Sequence, residues 1–157
     1  MKLKHSIVGL IIYTLSCFPS VSIEPDIFVQ STVNRASSLL SKDITKDEKI
    51  EELKKIAQET VDIKGIGFYT LGPIRKTLST DQKKEYIKLF NNYFLKSFSS
   101  RLAEYTNPEI DVYEKDILSE KYTIVKSLLK GTKDRPEVKI DWRIYTKDPE
   151  NPLIRDL

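Results

Sequence analysis

The chain has 157 residues, 31% charged and 39% hydrophobic, with a formal net charge of +3. That length suits one domain with a core of its own, and that balance suits a globular protein. No basic cluster is interleaved with aromatics, so no nucleic-acid partner is expected.

Residues 1–22, MKLKHSIVGLIIYTLSCFPSVS, stand apart from the rest. Lys2, Lys4 and His5 make a basic start, and Ser6 to Phe18 make a short apolar run. Ser20 and Ser22 follow the helix-breaking Pro19 as small residues at a cleavage-like site. This is the layout of a secretory signal peptide. A comfortable membrane span takes about 20 residues, more than the run provides. An uncleaved anchor is the second reading. A lipoprotein site at Cys17 is weaker, because Thr14 stands where an aliphatic residue is usual. Cleavage after Ser22 leaves 135 residues, and with Lys2 and Lys4 gone the net charge falls from +3 to +1. It also removes Met1, His5 and Cys17, the only residues of their kinds. Residues 23–157 then have no disulfide, thiolate nucleophile, imidazole base or soft metal ligand to offer. The expectation is a single domain over 23–157, without cofactor or metal, exported to a bacterial periplasm.

Glu24 to Ser41 places Ile27, Val33, Leu39 and Leu40 near helical spacing. Lys46 to Thr60 is a second helix, with Ile50, Leu53, Ile56 and Ala57 as its apolar stripe. The neighbouring acids Asp47–Glu48 and Glu51–Glu52 read as its solvated face rather than as catalytic pairs. DIKGIGFYTLG, residues 62–72, contains Gly65-x-Gly67 but neither a third glycine nor a Lys-Ser/Thr pair, and no strand precedes it. That excludes a phosphate loop. A short buried helix is expected there, with Ile66, Phe68, Tyr69 and Leu71 as apolar contributors and Gly72–Pro73 as its stop. Gly65 and Gly67 would both let its backbone approach a neighbour closely. Ser79 to Tyr105 is the longest helix. It opens with Ser79 and Gln82 in capping-box spacing, and Asn107–Pro108 ends it. Tyr86, Phe90, Tyr93, Phe94, Phe98 and Leu102 form a broad aromatic face along it.

Beyond Pro108 the period changes to two. Residues 110–116 are the first strand. Residues 121–130 are the second, with Tyr122, Ile124 and Leu128 on one face. In the third, 137–147, Val138, Ile140, Trp142 and Ile144 alternate with Lys139, Asp141, Arg143 and Tyr145. DPENP turns the chain at 148–152, and Leu153 begins a fourth strand. Helices followed by a meander predict an α+β domain, with N-terminal helices packed on one face of a curved antiparallel sheet of about four strands.

Catalytic inventory is thin. A Ser-His-Asp triad lacks its histidine, and no pair of carboxylates stands out for glycoside hydrolysis. The conspicuous features are the apolar face of the long helix and that of the sheet. Packed on each other, they are a core. Held apart, they enclose an apolar cavity. Composition leaves both readings open.

Residues 61–105, from Val61–Asp62 through Leu71–Gly72, Ser79 with Gln82, Phe90 and Tyr105, resemble the central block of the MlaC-like toluene-tolerance family. VKIDWRIYTKDPENPLIRDL, 138–157, resembles the family's paired strands as far as Asp156. An early helix behind a signal peptide agrees. The resemblance implies a periplasmic phospholipid-binding protein. It would be a monomer that shuttles lipid between an outer-membrane lipoprotein complex and an inner-membrane ABC transporter complex, maintaining outer-membrane lipid asymmetry without catalysis. The implied fold is a twisted sheet wrapped by helices, with the acyl chains between them. On this reading the lipid-binding residues are Ile66, Phe68, Tyr69, Leu71, Tyr86, Phe90, Phe94, Phe98, Leu102, Ile124, Leu128, Val138, Ile140, Trp142 and Ile144. Two acyl chains present about 30 methylenes, on the order of 24 kcal/mol of exposure to water, so a carrier must enclose them.

This sequence departs from the family in two places. Pro73, Ile74 and Arg75 stand where the family has aromatic and basic residues. The family also runs on past the position of Leu157, through a further strand segment and a C-terminal helix, so one wall of the cavity is expected to be short. Two other functions compete: a small cavity enzyme using a buried carboxylate, and a remnant of the carrier family that binds no lipid.

Overall fold

The computed structural model describes residues 22–157. The expected signal peptide, 1–22, therefore lies almost wholly outside the described residues. Four α-helices come first: α1 (Pro25–Leu40), α2 (Lys46–Thr60), α3 (Ile63–Thr70) and α4 (Thr80–Leu102), with a 3-10 turn at Gly72–Lys76 before α4. Four strands follow: β1 (Ile110–Ser119), β2 (Tyr122–Leu129), β3 (Val138–Tyr145) and β4 (Leu153–Asp156). They form one antiparallel sheet in sequence order. The α+β expectation holds, with the helices on one face of a four-stranded sheet.

Local chemistry sets most boundaries. Thr45 and Glu48 close a capping box at α2, and Ser79 and Gln82 close another at α4. Glu48 thus serves its helix terminus, while Glu51 and Glu52 pair with Lys54 and Lys55, so these acids are the solvated face expected. α4 ends earlier than Asn107–Pro108: its last residue is Leu102 and its C-cap Ala103. Asn107 instead takes a positive φ of 48° in the link to β1. Bulges between Val112 and Glu114, Ile117 and Ser119, and Arg143 and Ile144 add twist to the sheet.

The cross-strand register decides which face is buried. Val125 stands opposite Trp142, Thr123 opposite Ile144 and Ser127 opposite Ile140. Those residues face the helices, and the Trp142 Nε1–H donates to Ser127 Oγ at 2.7 Å inside the core. Ile124 and Leu128 are paired with Arg143 and Lys139 on the opposite face. The expected apolar face of β2 is therefore its outer one. Both faces of this strand carry apolar side chains, and the neighbouring β3 settles the choice by presenting Trp142 and Ile144 on one side only.

The main core joins Val29 and Val33 of α1, Ala57 of α2, Val61, Ile63, Leu95 of α4 and the inner residues of the sheet. A second cluster holds Leu39, Leu40 and Leu53 where α1 meets α2. Ile27, expected on the apolar side of α1, is 62% exposed.

Candidate functional site

Between the helices and the sheet lies a cavity of about 170 Å³. Val33, Ala36 and Leu40 of α1 and Leu53, Ile56 and Ala57 of α2 form one side. Phe98 and Leu102 at the end of α4 form another, and Ile110, Leu129, Ile140, Trp142 and Ile154 of the sheet form the floor. Tyr105, Pro108 and Leu157 also line it. None of the lining residues is an aspartate, glutamate, lysine or arginine. Two threonines lie among them, but Thr32 donates its hydroxyl to the Phe28 carbonyl (2.9 Å) and Thr60 to the Ile56 carbonyl (2.8 Å). Each spends its proton on its own helix, which leaves methyl groups for the cavity.

Four of the residues expected to hold lipid come together here: Phe98, Leu102, Ile140 and Trp142. Phe90 and Phe94 continue the same row along α4 without lining the cavity. The rings of Tyr86, Phe90, Phe94 and Phe98 stack in series at 5.9, 6.1 and 5.3 Å between centroids. The three phenylalanines are half-buried against the main core. Tyr86 sits at the far end of that row, its hydroxyl 2.8 Å from Thr70 Oγ1. Ile144 is fully buried core. Val138 is 44% exposed and faces a separate cleft. Ile124 and Leu128, on the outer face, cannot reach the cavity.

α3 is the short helix expected within 62–72, and it is only partly buried. Ile63 and Gly67 are buried, Ile66 packs on the main core, and Phe68 and Leu71 are half-buried. Tyr69 is 80% exposed, against expectation. Gly67 turns toward α4, where a Cβ would stand 2.8 Å from Phe90 Cδ1 and 3.0 Å from Ile87 Cδ1. Two residues on, Tyr69 is rotated about 200° away from that contact. Gly65 plays a different part from Gly67. A side chain there would collide with the Asp62 carboxylate, which caps α3 by accepting from the Gly65 N–H at 2.8 Å. Tyr93, on the outer side of α4, is also exposed.

Asp62 ties α3 to the sheet as well. Its N–H donates to the Ile154 carbonyl at 2.9 Å, and its carboxylate accepts from Arg155 Nε at 2.8 Å. Arg155 also donates to the Tyr122 hydroxyl (2.7 Å) and stacks 4.0 Å over the Tyr145 ring. Burial pulls the Arg155 pKa down, but the bonds to Asp62 and Tyr122 outweigh it and leave the pKa raised.

The cavity residues contributed by α1 and α2 were absent from the expected lipid-binding set. Their signal was present in the helical stripes of Val33, Leu40, Leu53, Ile56 and Ala57, which read as packing. Among the described residues no His/Cys/Asp/Glu group could hold a metal ion, and no helix is long and apolar enough to cross a membrane.

A family model described as MlaC protein matches residues 30–157. No curated protein matches the chain. A phospholipid-binding protein from Ralstonia solanacearum, solved in complex with a phospholipid, superposes at a TM-score of 0.70 and 14% identity, over 85% of this chain and 76% of that one. At that identity the likeness establishes a shared fold. A Campylobacter jejuni protein assigned as an NTF2-like transpeptidase aligns at a TM-score of 0.42 and 11% identity, over 82% of this chain and 98% of that one, too distant to bear on function.

Proposed function

The chain belongs to the MlaC family, and from that premise we propose that it is a periplasmic phospholipid carrier that holds acyl chains between its helices and its sheet. The observation that carries this reading is the cavity lined from both layers by apolar side chains, with no charged residue among them. The Ralstonia solanacearum protein of the same fold was solved with a phospholipid. Acyl chains need many apolar neighbours and few directed polar contacts, because their transfer free energy scales with the area removed from water.

At about 170 Å³ the cavity is far below the roughly 300–1,000 Å³ of a small-molecule pocket. Loading therefore requires the walls to part. Phe98 and Leu102, at the end of α4, are half-buried and are the part of the wall with room to move. The lipid would pass between an outer-membrane lipoprotein complex and an inner-membrane ABC transporter complex. A catalytic role would call for a carboxylate in the cavity. Asp62, the half-buried acid nearest in sequence to the lining residue Val61, is committed to the α3 cap and to Arg155.

The experiment is lipid mass spectrometry on protein purified without detergent or refolding, followed by uptake of labelled phospholipid from vesicles. Co-purification near one lipid per chain, with uptake, is the expected result. A folded protein that carries no phospholipid and takes none from vesicles would refute the proposal.

A further inference from the structure

The apolar cavity has a polar neighbour. A cleft of about 1010 Å³ lies where α4 finishes, the chain enters β1 and the β2–β3 connection turns. Tyr105, Pro108 and Leu129 line both spaces, so the two adjoin. Two arginines, Arg101 and Arg135, line the cleft together with three carboxylates, Glu104, Glu109 and Asp134. Arg35 is paired with Glu59 and Arg155 with Asp62, whereas Arg101 and Arg135, like Arg75 and Arg143, have no carboxylate within 4.0 Å among the described residues. The third cation of the cleft, Lys130, is already paired with Glu109 at 3.0 Å and Asp111 at 3.2 Å.

Arg135 is held in place. Its guanidinium carbon lies 4.4 Å from the centroid of the Tyr105 ring. Its carbonyl accepts from the Thr132 N–H at 2.8 Å, and the Thr132 hydroxyl accepts from the Asp134 N–H at 3.3 Å, which closes the turn. Stacking occupies a face of the guanidinium and leaves its in-plane N–H groups free for a planar acceptor. A cation in the last turn of α4 is favoured by the helix dipole alone, which would account for Arg101. It does not account for Arg135, which comes from a different segment.

We propose that Arg101 and Arg135 seat the phosphate group of the cargo, with Tyr105 at the boundary between headgroup and acyl chains. This rests on the carrier reading and adds to it the chemistry of the headgroup end. A phosphodiester carries one negative charge and accepts paired N–H donors, the geometry for which an arginine fork is suited. The seat would select lipids with a phosphate over lipids without one, while the tails supply most of the binding. A soluble phosphate ester has the same chemistry, so the test separates the two sources.

The full mature chain is loaded with phosphatidylglycerol or with diacylglycerol of identical chains, and glycerol 3-phosphate is the arm without tails. The wild type is expected to prefer phosphatidylglycerol by about tenfold or more, the scale of one or two charged hydrogen bonds. In Arg101→Gln/Arg135→Gln that preference is expected to vanish, with circular dichroism melting confirming a folded protein. Equal binding of the two lipids by the wild type overturns the seat and leaves the carrier standing. A double variant that keeps the full preference also overturns the seat. Glycerol 3-phosphate binding as tightly as phosphatidylglycerol would assign the cleft to a soluble ester and overturn the headgroup role. Binding of neither lipid overturns the carrier reading and the seat with it.

Discussion

α1 and α4 meet the core in different ways. α1 lies along β1 and β2, with Val29 fully buried and Val33 3% exposed. Gln30 pins it further: its Oε1 accepts from the Val112 N–H at 3.1 Å and its Nε2–H donates to the Ile110 carbonyl at 3.3 Å. α4 packs mainly on α2 and α3, with Leu95 reaching the shared core, and of its aromatic row none is fully buried. One side of the molecule is a sealed contact fixed by close packing and by side-chain hydrogen bonds to the strand backbone. The other is a wall of rings that already sees solvent. A carrier needs both, since a rigid side keeps the fold while an adjustable side admits a tail.

The same substitution on the two sides should expose that difference most sharply. Val29→Asp buries an unpaired charge in the sealed contact and is expected to destabilise by more than about 4 kcal/mol, seen as loss of a cooperative urea transition. Phe98→Asp places the charge in the half-buried wall of the cavity, where water can reach it. It is expected to cost about 2 kcal/mol, to leave a folded chain and to abolish co-purifying lipid. Equal damage from both would erase the distinction. Gly67→Ala pushes a methyl into Phe90 and Ile87, so α3 and α4 must part slightly, at a cost of about 1–3 kcal/mol by thermal melting.

The smaller effects sharpen the boundary of the site. Ile124→Ser changes the outer face of β2 and is expected to alter stability by less than about 1 kcal/mol with lipid retention unchanged. Loss of lipid there would mean that the cargo reaches the outer face. The smallest effect belongs to the tie between α1 and β1, where Lys115 donates to Asp26 at 2.7 Å and to Glu24 at 2.6 Å. That hydrogen bond from Lys115 is the main reason Asp26 lies below its ordinary 3.8, partly opposed by burial. Because the folded value is the lower one, the contribution is complete above 3.8 and disappears as the pH falls through the folded value. Lys115→Met should therefore lower the unfolding free energy measured in urea at neutral pH by less than about 1 kcal/mol, and the gap from wild type should close in acid.

Much of the molecule was readable from local pattern. The four helices and four strands, the capping box of Ser79 and Gln82 and the meander order follow from periods of 3.6 and 2 and from residues that satisfy their own helix ends. These are interactions within a few residues of each other, so the sequence carries them directly. Family membership was legible for the same reason, as motifs in fixed order. What surrounds the cavity was not. Tyr69 and Tyr93 have the same chemistry as buried tyrosines, and Ile124 is as apolar as Val125. Their exposure is set by what lies across from them: Gly67 against Phe90, and Val125 opposite Trp142 rather than Arg143. Whether the aromatic helix touched the sheet or stood away from it also waited on the fold. Burial is a property of pairs of surfaces, and only the tertiary structure decides which surfaces meet.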